Sequence, residues 1–246
     1  MSVDVSKPGA SVPVHRVRFV DWSPSAITAL ALSPVAWTES AAAGRSVLAI
    51  GRDNGNIDLC TWCEGQSGSI AQGWSPVWTL LGEENYKIES LAFTASASHL
   101  RLFSTSGGSI VSEHFLPSSL TGQQAADTRT PTRTLSSHGG AIWSMAASPT
   151  GKFLAIGCED GVVRLIDVAG DAFEHVGTGM HVAPRMTRVA SRILSLAWGP
   201  PRRQMATSND SDDDDDEAWR DTYLLGGLGN STAAVWDVPT GQLKSR

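Results

Sequence analysis

Residues 154–167, Leu154-Ala-Ile-Gly-Cys-Glu-Asp160-Gly-Val-Val-Arg-Leu-Ile-Asp167, decide the fold. Two short apolar runs, rich in β-branched residues, flank an Asp160-Gly161 pair. That pattern predicts two antiparallel strands joined by a tight turn, because Asp-Gly accepts the left-handed backbone such a turn needs. Upstream stands a third apolar run, Ile142-Trp-Ser-Met-Ala-Ala-Ser-Pro, so the unit contains at least three strands.

The unit recurs. Its first strand reappears as Ile27-Thr-Ala-Leu-Ala-Leu-Ser-Pro, Ile88-Glu-Ser-Leu-Ala-Phe and Ile193-Leu-Ser-Leu-Ala-Trp-Gly-Pro. A second strand follows each, at Leu48, Leu102, Leu154 and Leu224, then a turn and a third strand at Ile57, Ile110, Val162 and Ala233. Starts of the first strand lie 61, 54 and 51 residues apart. A WD40 blade spans roughly 40–45 residues, so each interval leaves room for one inserted loop. The expected fold is all-β, a partial WD40 β-propeller of about four blades around 27–62, 88–115, 142–168 and 193–238. Residues 1–13 have the composition of a flexible tail, and 14–246 hold the propeller. Segments 65–76 and 117–134, rich in Ser, Gln, Thr, Gly and Pro, are expected to be surface loops.

Five residues are candidates for holding the blades together. Ser137-His138-Gly139-Gly140 stands where such repeats place a Gly-His element before the first strand, which makes His138 a stapling candidate. Asp160 occupies the hairpin turn, Asp167 ends a third strand, and Trp236-Asp237 is a full Trp-Asp ending. Elsewhere the staple is degraded, with Cys158 and Ile166 at two of its positions and Asn54 and Asn230 at the turn position.

Charge is concentrated in one place. Asp210, Asp212 to Asp216 and Glu217 lie in a single stretch, and without them the balance of the 246 residues turns from −6 to +1. Bulk charge therefore does not announce a nucleic-acid binder. The insert at about 201–221 is expected to be disordered. Ser211, with Asp214 three positions on, is a candidate phosphorylation site, where phosphate would add about −1.5 to −2 charge and repel nearby RNA. One set of basic residues stands out, Arg185, Arg188 and Arg192, with Arg202 and Arg203 after the strand, so that they flank the first strand of the fourth unit and are expected at blade rims. Arg pairs bidentately with phosphate, so these are RNA-contact candidates, against a plainer reading as solvated loop charge.

Enzyme chemistry finds no foothold. The G-x-S-x-G elbow, the Walker loop and G-x-G-x-x-G are all missing. Cys60-Thr-Trp-Cys63 has CxxC spacing but no second pair, since the third cysteine, Cys158, stands alone. A cofactor, a metal and a small-molecule substrate are not expected. The start of the chain lacks a secretory h-region, and no apolar run reaches the roughly 18 residues of a membrane span.

Three segments carry a narrower likeness: Val14-His-Arg-Val-Arg-Phe-Val-Asp-Trp-Ser-Pro-Ser-Ala-Ile, then Gly140-Ala-Ile-Trp-Ser-Met-Ala-Ala-Ser-Pro-Thr-Gly with Gly157-Cys-Glu-Asp-Gly, and Ser191-Arg-Ile-Leu-Ser-Leu-Ala-Trp. In this order they resemble the N-terminal part of the cirhin family, WD40 subunits of the UtpA (t-Utp) complex of the small-subunit processome. The resemblance implies a nucleolar, non-enzymatic scaffold among other UtpA subunits. Its partners would be the 5′ external transcribed spacer of pre-ribosomal RNA, in the context of the U3 small nucleolar ribonucleoprotein, and its role pre-rRNA transcription and 18S rRNA maturation. That family has two tandem propellers, so a chain of about four blades is expected to be a fragment. The competing expectation is a general WD40 adaptor of a ubiquitin-ligase or chromatin complex. Val14–Val20 is expected to be the strand that closes a propeller.

Overall fold

The computed structural model describes residues 25–34, 46–63, 73–82, 86–95, 100–116, 133–176, 186–203 and 219–245. Their regular structure is entirely β. Blade 1 consists of β1 (Ile27–Leu32), β2 (Val47–Arg52), β3 (Ile57–Cys63) and β4 (Gly73–Leu80). Blade 2 consists of β5 (Ser90–Ala95), β6 (Leu100–Thr105), β7 (Ile110–Phe115) and β8 (Arg133–Ser136). Blade 3 holds β9 (Ile142–Ala147), β10 (Phe153–Cys158), β11 (Val163–Asp167) and β12 (Glu174–His175). In blade 4 the excursion β14 (Arg202–Arg203) and β15 (Trp219–Arg220) interrupts the series β13 (Ile193–Trp198), β16 (Tyr223–Leu228), β17 (Ala233–Asp237) and β18 (Gln242–Ser245). Each blade is an antiparallel meander in which every strand pairs with its chain neighbour, apart from that excursion.

The decisive hairpin forms as its residues require. Leu154 faces Ile166 and Gly157 faces Val163 across β10 and β11. Gly161 sits at φ 75°, and a Cβ there would lie 2.3 Å from the Val189 carbonyl oxygen. Only glycine fits both constraints. Asp160 completes the turn by accepting the Val162 amide on Oδ1 at 3.1 Å. Asn54 does the same for Asn56 in blade 1, at 3.1 Å.

Inner strands β1, β5, β9 and β13 stand side by side, in chain order. Because side chains alternate across a strand, each blade presents one face to its predecessor and one to its successor. Three cores result. Blades 1 and 2 share one around Leu59, Leu91 and Leu102. Between blades 2 and 3 a second is built on Phe103, Ile142 and Ile166. Blades 3 and 4 meet over Leu165, Ile193 and Trp236.

Two expectations are corrected. The blades reach past Trp62, Phe115, Val168 and Val238, because each has a fourth, outermost strand. Part of the 65–76 segment therefore belongs to β4, and β8 begins at Arg133 inside the expected 117–134 loop. An outermost strand has one neighbour and one wet edge, so Arg-Thr-Leu-Ser of β8 and Gln-Leu-Lys-Ser of β18 need no apolar alternation. The acidic insert, for its part, is not irregular over all of 201–221. Its stem pairs Arg202 with Arg220 and Arg203 with Trp219. Residues 1–13, the Val14–Val20 segment, the acidic run and Ser211 lie outside the described residues.

Candidate functional site

The meander fixes which loops share a rim. Chain segments leading into each inner strand, and the turns between second and third strands, lie at one end of the blades. The turns between first and second strands lie at the other. The arginine cluster is thereby divided. Arg188 and Arg192 precede β13, whereas Arg202 and Arg203 follow it, so a six-residue strand, roughly 20 Å at about 3.3 Å per residue, separates them. The arginines expected to flank this strand at the blade rims therefore form two groups on opposite rims, and Arg185 lies outside the described residues.

On the first rim, the arginines are engaged with blade 3. Arg188 is exposed and donates its Nε to the Asp160 carbonyl at 2.8 Å. Arg192 lies over the Trp143 ring, with its guanidinium carbon 4.9 Å from the ring centroid, within cation–π range. Trp143 in turn donates its indole N–H to Glu159. An open groove lined by Glu159, Asp160, Arg188, Val189, Ala190 and Ser191 runs beside this group. The rim thus combines exposed guanidinium groups with a half-exposed aromatic face. Such a combination can take phosphate and a stacked base, although Glu159 keeps its net charge low.

Asp160 is the centre of the blade 3 staple. Arg164 donates Nη1 and Nη2 to its two carboxylate oxygens at 3.0 and 2.7 Å, and Nη2 also reaches the His138 carbonyl at 3.1 Å. Burial by itself would raise the Asp160 carboxyl. Hydrogen bonds from Arg164 and the Val162 amide, with the charges of Arg164 and Arg188, outweigh it and hold the group below its ordinary value. The stapling role expected of His138 is corrected here: its carbonyl takes part, through Arg164. Its exposed imidazole lies 5.2 Å from the His175 ring instead. Cys158, at a degraded staple position, is a buried free thiol, pushed up chiefly by that burial.

Blade 4 keeps a reduced staple. Trp236 is buried and donates Nε1 to the Thr187 carbonyl at 2.8 Å. Asp237 accepts the Thr240 hydroxyl and, through its carbonyl, the Gly241 amide at 2.7 Å. Asp167 caps its own turn by accepting the Ala169 amide at 2.9 Å.

On the second rim, Arg202 lies 5.0 Å over the Tyr223 ring. With Arg203 and Arg220 it forms the stem that carries the seven acidic residues of the insert. The sequence between the stem arginines is strongly acidic, which makes this rim the poorer RNA candidate.

A third polar centre is not foreshadowed by any motif. Glu113 is buried and accepts Arg101 Nε at 2.5 Å and Arg133 Nε at 2.6 Å. Arg101 also donates to the carbonyls of Val168, Gly170 and Ala172 at 2.7–2.8 Å, clasping the turn after β11. Arg and Glu two residues off register on neighbouring strands are the only trace of it in the sequence. The Arg101–Glu113 pair of this clasp is fully buried and structural. Among the described residues no three His, Cys, Asp or Glu side chains gather as a metal site, and no helix is long and apolar enough to cross a membrane. Cys60 is a buried free thiol in β3.

Comparison with known proteins agrees with the architecture. The family model "WD domain, G-beta repeat" matches residues 129–167, the span from before β8 to the end of β11. Over 228 residues the chain is 31% identical to "U3 small nucleolar RNA-associated protein 4" of Schizosaccharomyces pombe, covering 92% of this chain and 26% of that protein. It is 30% identical over 196 residues to "U3 small nucleolar RNA-associated protein 4 homolog" of Homo sapiens, covering 80% of this chain and 23% of that protein. The chain therefore spans about a quarter of the length of the curated relatives it matches. Among solved structures, the computationally designed Ika4 protein superposes with a TM-score of 0.51 at 16% identity, covering 92% of this chain and 99% of that one. That likeness concerns the fold alone. The chain is a partial WD40 β-propeller of four described blades, homologous to proteins named U3 small nucleolar RNA-associated protein 4.

Proposed function

We propose that this protein is a non-enzymatic scaffold in ribosome biogenesis, acting with the U3 small nucleolar ribonucleoprotein in the nucleolus. The observation that carries the proposal is 31% identity over 92% of the chain to a U3 small nucleolar RNA-associated protein. The finer reading places it among UtpA subunits of the small-subunit processome, at the 5′ external transcribed spacer, supporting pre-rRNA transcription and 18S rRNA maturation. A blade array suits that role, since it offers rims and edges to several partners while its polar groups are spent on blade-to-blade contacts.

Within the described residues, the rim bearing Arg188, Arg192 and Trp143 is the proposed RNA contact. Phosphate and shape would set its binding rather than one base motif. The test is depletion of the protein combined with crosslinking of the tagged protein. Loss of 18S rRNA, nucleolar localisation and crosslinks in the 5′ spacer are expected. Normal 18S rRNA and a protein absent from the nucleolus would instead leave a general WD40 adaptor.

A further inference from the structure

The rim that carries Arg188 and Arg192 runs unbroken over the three blade joints. At each joint the segment leading into an inner strand is tied to the blade before it. The Ile88 amide donates to the Arg52 carbonyl at 3.0 Å, the Ile142 amide to the Gly108 carbonyl at 3.0 Å, and the Val189 amide to the Gly161 carbonyl at 2.9 Å. The first of these segments holds Tyr86, two residues before Ile88 and 56% exposed. Arg192, on the third, lies over Trp143, which is 38% exposed. Both rings therefore stand on one rim, at joints the chain itself completes.

Charge along these segments is nearly balanced. Each ring has a cation beside it, Lys87 next to Tyr86 and Arg192 over Trp143. Carboxylates answer them. Lys87 Nζ lies 3.0 Å from Glu89 Oε1, Glu159 accepts the Trp143 indole N–H, and Asp53 is exposed in the blade 1 turn. The Asp160 carboxylate is already matched by Arg164. Lys87, Arg188 and Arg192 are thus offset by Asp53, Glu89 and Glu159. A double helix hides its base faces and is held through phosphates and 2′-hydroxyls, so a rim with so little net charge gains little from one. What this rim offers is aromatic faces, and those fit bases that are not paired.

We propose that this rim takes unpaired, single-stranded RNA, laid across it from the joint of blades 3 and 4 to the joint of blades 1 and 2. Bases stack on Tyr86 and on the Trp143–Arg192 pair, since guanidinium planes stack bases as rings do. Lys87, Arg188 and Arg192 meet the phosphates between them. The inference rests on the RNA contact proposed above, and adds which form of RNA the rim accepts and a second platform, Tyr86, for holding it. Stacking tolerates every base, so affinity varies little with sequence.

Fluorescence anisotropy of the 246-residue chain tests this with three probes. They are a labelled mixed-sequence single-stranded RNA, the same RNA annealed to its complement, and poly-glutamate as a polyanion without bases. The single strand should bind at least about tenfold tighter than the duplex, and poly-glutamate should not displace it. Tyr86→Ala and Trp143→Ala should each weaken the single strand about tenfold, whereas Tyr86→Phe and Trp143→Phe should keep most of the affinity. Tyr86 is more than half exposed, so its loss should leave the fold intact, and circular dichroism checks both positions. Equal or tighter binding of the duplex would overturn the proposal. Displacement by poly-glutamate, or full affinity in both alanine variants, would do the same. If no RNA binds, this inference falls, while the scaffold reading is decided separately by 18S rRNA and nucleolar location.

Discussion

Arg101 and Glu113 form a buried ion pair, Nε to Oε1 at 2.5 Å, that reaches out of its own blade. The two residues come from adjacent strands, and Arg101 directs three further N–H donors to three carbonyls of blade 3. Blades 2 and 3 are therefore joined by a directional polar clasp as well as by an apolar core. An ion pair at such depth is tolerable because the lone pairs and protons around it are almost all matched.

Glu113→Ala should destabilise the protein by about 3–5 kcal/mol, since two guanidinium groups lose their carboxylate partner. Replacing both members, as Arg101→Met with Glu113→Leu, should not restore stability, because the carbonyls of Val168, Gly170 and Ala172 lose their donor. Urea unfolding checks both. A loss below about 1 kcal/mol for the single variant would show that the clasp is not a structural tie.

His114 gives the fold a pH dependence. Burial pushes its imidazole down to about 4, only partly opposed by the neighbouring Glu113, and the ring shares a 2.8 Å hydrogen bond with Ser104. The unfolded chain takes up a proton near 6.5, before the folded one does, so stability falls as pH drops from about 6.5 to about 4. Melting curves of His114→Gln should be flatter across that window than those of the parent. Equal slopes would remove His114 as the cause.

Trp236→Phe should cost about 1–3 kcal/mol, because the ring volume is largely kept but the Thr187 carbonyl loses its donor. Thermal melting at fixed pH is the measurement. A change within a few tenths of a kcal/mol would mean that water replaces the indole.

Deleting 207–218 should leave the melting temperature nearly unchanged. The four strands of blade 4 pair without β14 and β15, whose short hairpin forms a separate sheet. A large drop in melting temperature would show that the insert packs on the blades.

Arg188→Ala with Arg192→Ala should weaken binding to pre-rRNA roughly uniformly across sequences. It should also flatten the salt dependence, by about 0.7 in log–log slope for each single-strand phosphate that is no longer neutralised. Both side chains also touch blade 3, so the melting temperature must be compared alongside. An unchanged salt slope would move the RNA contact to other blades.

Much of the fold was legible in the chain. The four inner-strand repeats, the apolar second and third strands and the Asp160-Gly161 turn obey local rules of alternation and backbone freedom. Asp160, Asp167, Trp236 and Asp237 bond to residues a few positions away or to the adjacent loop. The outermost strands were not legible, since an edge strand with a wet face carries no apolar pattern.

Tertiary structure alone decided the rest. It set Arg188 against the Asp160 carbonyl and Arg192 over the Trp143 ring. It gave the staple to Arg164 rather than to the His138 ring, and it brought Arg101 to the turn after β11, 67 residues along the chain. Such contacts depend on how sheets stack, which local sequence does not encode. What the sequence did determine is the repeat itself, an isoleucine at the start of each inner strand. Whether that isoleucine is buried, as Ile193 is, or exposed, as Ile27 is, depends on whether a blade stands in front of it.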